Sequence, residues 1–245
     1  MATSAATDLV RQLERARALH QTRAASPELA AEFDRLATWQ ASRLNATYAD
    51  LARQARYAAA IAFFQSDLYG AGDFSRRDAD LARVVPLMTA VLPGAVIRTV
   101  AEAMELSVLS HELDRRMLQH LPPAEYLSVG AYCDAFRALS NRPERERQIG
   151  LILDVGRALD RYVQKPLVRS TLAATRYPAR AAGFGALQAF LERGFSAFAQ
   201  MHGAREFLAT IEARETELVG AIFRGDRAPF PDPAKPSRTA RRAPC

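Results

Sequence analysis

The sequence predicts an all-α protein, a single bundle-like domain of about eight to ten helices with a disordered C-terminal tail. Three observations lead there. Apolar residues recur at three- and four-residue spacings along most of the chain. No stretch sustains the apolar/polar alternation with tight turns that a hairpin requires. Prolines, glycines and capping residues punctuate the chain where helices start and stop. The chain of 245 residues, 49% hydrophobic and 24% charged, has an ordinary globular composition. A body of this size buries roughly 70% of the surface its unfolded chain exposes, enough for a core without disulfide or metal staples.

In chain order, Thr7 and Asp8 are candidate caps for a first helix carrying Leu9, Leu13 and Leu19. Ser26-Pro27-Glu28 combines a capping serine, a first-turn proline and an acid at the positive helix end. The helix after it carries Leu29, Phe33, Leu36, Leu44 and Leu51, with Trp39 a candidate core anchor. A third helix is expected over 56–69, and Ser75-x-x-Asp78 resembles a capping box opening a fourth. Pro86 removes a backbone donor, so that helix is expected to kink or restart there. A long helix over 95–121 stops at Pro122-Pro123, and another covers 124–139. Pro143 restarts the chain on a helix to 164, and Pro166 and Pro178 bracket a further segment. Final helices are expected over 186–201 and 204–223, with Gly225 as terminator. Gly156 and Gly194 each lie within an apolar stripe, which predicts that their two helices cross closely at these points or, alternatively, that one glycine opens room for a ligand.

Residues 1–225 therefore form the domain. The remainder, "DRAPFPDPAKPSRTARRAPC", has five prolines and one large apolar residue, so 226–245 is expected to be a disordered tail. Five of its residues are basic and two acidic, so it carries +3 of the net charge of +6. Nucleic-acid binding is expected at most weakly, through this tail. In the body, the arginines alternate with acids, as in "RPERERQ", which reads as a solvated helix face.

Several chemistries are excluded. Two cysteines, Cys133 and Cys245, make neither a disulfide framework nor a four-thiolate site. None of the four histidines follows a glutamate by three residues, and His111-Glu112 lacks the second zincin histidine. Phosphate-binding glycine loops and nucleophile elbows are absent. No cofactor, metal set or catalytic residue is assigned. The start lacks a basic leader and apolar core, and no run is long enough to span a bilayer. The expected location is the cytoplasm.

The stretch "FFQSDLYGAGDFSRRD" holds most of the candidate site residues. Tyr57, Ile61, Phe64 and Leu68 form one stripe, and Phe63 shares a flank with Asp67. Asp67 then needs a partner, for which Arg76 or Arg77 is at hand. The same residues also suit a pocket edge presenting Asp67, Tyr69 and Arg77. "FFQSDLY" resembles the hallmark of the uncharacterised bacterial FFLEELY-motif proteins: Phe63, Phe64, Leu68 and Tyr69 match and Asp67 replaces glutamate. Gln65 and Ser66 depart from the pattern. The resemblance implies an all-helical cytoplasmic protein and no activity.

His111 follows Ala101, Met104 and Val108 in helical phase, as a hydrogen-bonded core histidine or an acid–base or metal-binding group. Glu105, Glu112 and Asp114 read as solvated surface. Phe63, Asp67, Tyr69, Arg77 and His111 are thus the binding candidates. The expected function is a non-catalytic binding or regulatory module for an unknown protein or small apolar ligand. The alternative is a helical-bundle enzyme or a cofactor or ligand carrier with a small polar-ended apolar pocket.

Overall fold

The computed structural model describes residues 2–64, 66, 74–122 and 127–233. Among them are twelve α-helices and no strand. α1 (Ala2–Ala24) begins ahead of Thr7 and Asp8, which lie inside it. Ser26 caps α2 (Pro27–Thr47): its Oγ accepts from the Leu29 N–H at 3.2 Å. The helix expected to run on through Leu51 breaks at Tyr48, and the single turn α3 (Ala49–Ala52) follows. α4 (Ala55–Phe63) carries the start of the aromatic motif.

α5 (Ser75–Val91) runs through Pro86 without restarting. Asp78, expected as half of a capping pair, instead turns inward to His20. α6 (Gly94–Leu118) and α7 (Val129–Ala138) follow, the latter capped by Ser128 accepting from the Ala131 N–H at 3.2 Å. α8 (Arg142–Val163), α9 (Pro166–Ala174), α10 (Arg176–Ala181), α11 (Gly185–Gln200) and α12 (Arg205–Phe223) complete the order. The count exceeds the expected eight to ten because α3 and the six-residue α10 are separate short pieces. Gly225, at φ +99°, ends α12 in the left-handed conformation glycine tolerates.

Two apolar clusters hold these helices together. In the smaller, Leu9 and Leu13 of α1 meet Leu81 and Val85 of α5 and Ile97, Met104 and Val108 of α6. The larger gathers α2, α4, α7, α8, α11 and α12, and takes Met117 from the far end of α6. α6 therefore belongs to both clusters and ties them into one body. Among the described residues, no helix is long and apolar enough to cross a membrane.

The glycines of α8 and α11 do not serve one another. A Cβ on Gly156 would lie 2.6 Å from Leu208 Cδ2, and one on Gly194 would lie 2.8 Å from Phe63 Cζ. Each glycine is a notch for a side chain of another helix, α12 for Gly156 and α4 for Gly194. The expected crossing is replaced by these two separate insertions.

The chain expected to leave the body after Gly225 instead returns to it as far as Pro233. The Asp226 N–H donates to the Ala221 carbonyl at 3.0 Å, and Arg227 pairs with Asp134 at 2.6 Å. Phe230 is only 8% exposed, and its ring stands edge-on to Trp39 and Tyr132, 6.1 Å from each. Pro229, Pro231 and Pro233 explain how so polar a stretch can dock: proline restricts the unfolded chain, so less entropy is lost on ordering. Phe230→Ala should lower stability by about 3 kcal/mol in urea unfolding. It should also change the fluorescence of Trp39, the single tryptophan. A free segment would leave both unchanged.

Candidate functional site

Helices α2, α6, α7, α8 and α12 line a partly open cavity of about 100 Å³. One side is apolar, built from Phe33, Leu44, Phe136, Ile149, Ile152 and Val219. The other is polar, and its residues come from positions that face inward because of helical phase. Arg145 precedes Ile149 by four residues and Ile152 by seven, so it stands on the buried stripe of α8. Its side chain is 4% exposed. This corrects the reading of "RPERERQ" as a wholly solvated face. Arg142 and Arg147 of that run are exposed and pair with Glu146 and Glu105, while Arg145 points in.

Arg145 has few partners. Its Nη1 reaches Gln148 Oε1 at a long 3.4 Å, Nη2 reaches Met117 Sδ at 3.9 Å, and Nε donates to nothing. The guanidinium lies 4.1 Å from the centre of the Phe136 ring. Burial pulls its pKa below the ordinary arginine value, against the raising influence of Tyr132 and Asp114. Arg43, by contrast, donates to both oxygens of Glu215, at 2.8 and 3.4 Å, and Tyr48 Oη donates to Glu215 at 2.8 Å. Burial alone would lower the Arg43 pKa, but Glu215 beside it outweighs this and raises it.

Asp114, expected on the solvated surface, also lines the cavity and accepts from Gln40 Nε2 at 2.9 Å. Burial raises its pKa despite the Gln40 hydrogen bond and the positive charge of Arg145. Gln148 donates to Ser110 Oγ at 2.7 Å on the same wall. A second space of about 40 Å³ shares Arg43, Leu44, Ile152 and Glu215 with the first and ends on Ile61 of α4 and on Phe64, which caps that helix.

Of the five expected site residues, His111 lines the cavity. Its Nδ1–H donates to the Ser107 carbonyl, 2.8 Å away. Arg77 and Phe63 lie outside it but are linked to it through aromatic contacts. Phe63 meets Phe190 at 5.5 Å, and the Arg77 guanidinium packs 4.9 Å from Phe190 and 4.7 Å from Phe74. Phe74 in turn lies 6.5 Å from His111 and is part of the cavity wall. Arg77 pairs with Asp78 at 2.8 Å. Asp67 and Tyr69, and with them the proposed Asp67 pairing, lie outside the described residues. Sequence reasoning missed His20, whose Nε2 is 2.9 Å from Asp78 Oδ2 and whose ring is 6.0 Å from that of His111. Among the described residues, no three His, Cys, Asp or Glu side chains converge as a metal ion would need.

A family model described as a domain of unknown function, DUF8198, matches residues 19–229. The chain belongs to that family. The matched region contains the whole cavity wall, from Arg23 to Val219, and stops one residue short of Phe230. The curated proteins and the solved structures hold no match to the chain.

The half-buried Asp114 makes a pH prediction. The folded state holds the Asp114 proton to a higher pH than the ordinary 3.8 at which an exposed aspartate loses it. The folded protein therefore binds more protons in that window, and stability falls as pH rises through it. Asp114→Asn, which keeps an acceptor for Gln40, should melt close to the parent near pH 4 and above it by a margin that grows toward neutrality. A constant difference across this range would show that the carboxyl is not destabilised by burial.

Proposed function

We propose that this family member is a non-catalytic binding or regulatory protein that takes a small organic molecule into the cavity between α2, α6, α7, α8 and α12. The observation that carries this reading is the composition of the wall. A void left by imperfect packing is apolar and dry. This one brings three arginines, a histidine and two carboxylates to an interior lined on the other side by phenylalanine and branched aliphatic residues. Burying charge is unfavourable unless something pairs with it, and a ligand with one polar end and an apolar body matches both walls.

A second reading, a helical enzyme, has one observation in its favour: the His20–Asp78 pair lies against His111 at the edge of the cavity. Asp78 is also held by Arg77, and the whole group is as well suited to bolting α1 onto α5. Nucleic-acid binding would rest on Lys235, Arg238, Arg241 and Arg242, all outside the described residues. Membership of the FFLEELY-motif proteins, a bacterial source and a cytoplasmic location remain part of this proposal, for which the aromatic motif is the support.

Native mass spectrometry of the gently purified chain should reveal a retained small molecule that is released on denaturation. Ala37 lines the cavity with only a methyl group, so Ala37→Leu should fill much of it, raise the melting temperature of ligand-free protein and abolish retention. A parent that carries nothing, or a filled variant that retains the same molecule, would defeat the reading.

A further inference from the structure

We propose that the cavity is a receptor for small monocarboxylates, the Arg145 guanidinium taking the carboxylate and the Phe33, Leu44, Ile152 and Val219 wall taking the apolar remainder. This rests on the reading of the cavity as a ligand site and names the ligand class. Arg145 is the reason. Its side chain is 4% exposed and lines the cavity, yet its Nε has no partner and no carboxylate forms an ion pair with it among the described residues. Arginine does not shed its proton in a protein, so the charge is present and must be matched. A carboxylate, received through two parallel N–H···O bonds, is the partner whose geometry fits a guanidinium fork.

The charges on the wall select a monoanion. Arg43 is neutralised by Glu215, and Arg23 by Asp34 outside the cavity. What remains is Arg145 and Asp114, whose carboxylate is engaged by Gln40. The charges of Arg145 and Asp114 already offset each other, so a phosphate dianion would leave two uncompensated negative charges on the wall. A monocarboxylate leaves only one, held against the Arg145 guanidinium. Volume selects a small molecule: about 100 Å³ is below the roughly 150 Å³ of an engineered cavity that accepts benzene. An acid of a few carbons fits. Asp114 works against the anion, and its raised pKa eases this opposition as pH falls; Arg145 and His111 are the charged or titratable groups acting on it.

The test is calorimetric titration of the full chain, stripped of retained ligand, with butyrate, butyramide and inorganic phosphate at constant ionic strength. Butyrate should bind saturably, and butyramide and phosphate should not. Arg145→Met replaces a buried, unpaired charge with an apolar side chain of similar length, a change that is often neutral or stabilising to the fold. It should weaken butyrate about 10- to 100-fold, the worth of hydrogen bonds to a charged group. Asp114→Asn should tighten it. Equal butyrate affinity in the parent and Arg145→Met, a preference for phosphate, or no butyrate binding would each overturn the proposal. If the parent nevertheless retains a native small molecule that Ala37→Leu loses, the cavity reading stands and only the ligand class falls.

Discussion

Arg145 enters the interior because α8 has no other register available. Ile149, Ile152, Leu153 and Gly156 must face the core, and a residue four before Ile149 shares their side of the helix. Turning the charge out to solvent would need α8 to begin a turn later. Instead the helix begins at Arg142, and the guanidinium is carried inward over the Phe136 ring. A cation so placed fixes what its surroundings can be. Gln40, Ser110, Asp114 and Gln148 form a polar wall where a helical core would otherwise close with leucine, and a cavity stays open beside them.

The opposite wall holds its shape because α12 is clamped to the N-terminal helices. Glu215 receives Arg43 of α2 and Tyr48, and Arg214 makes two bonds of 2.8 and 2.7 Å to Asp50 of α3. The Arg214 hydrogen bonds hold the Asp50 carboxyl down at about 2. Glu206, one helical face away, accepts from Tyr57 and Arg56 of α4. With α12 fixed, Leu208 drops into the notch at Gly156 and Phe230 covers Trp39 and Tyr132. Exposed ion pairs contribute little singly, so this clamp depends on the half-buried Arg43–Glu215 pair and the apolar insertions around it.

Helix positions were legible because proline, glycine and capping serine act locally: Ser26 caps α2, and Gly225 ends α12, as their sequence contexts predict. The pairing of helices was not, since a stripe says which face is buried and not against what. Gly156 and Gly194 illustrate this, each receiving a side chain from a helix that the stripes do not name. Arg145 was hidden by composition. A run of alternating charges looks solvated as a whole, although the phase of Ile149 and Ile152 already placed one of its arginines inside. Phe230 was hidden in the same way, one ring averaged into a polar, proline-rich stretch. The Arg77–Asp78–His20 group joins α1 to α5, and no spacing within either helix announces it.

The central claim, that Arg145 is a buried cation waiting for an anion, can be read at a single proton. The Nε–H of Arg145 should give a slowly exchanging NMR resonance, assigned by its loss in Arg145→Met. In the ligand-free chain it should resonate as an unpaired donor, and butyrate should move it downfield along a saturable curve as a charge-assisted hydrogen bond forms. A resonance already exchanging with bulk water, or one that butyrate leaves in place, would contradict the account.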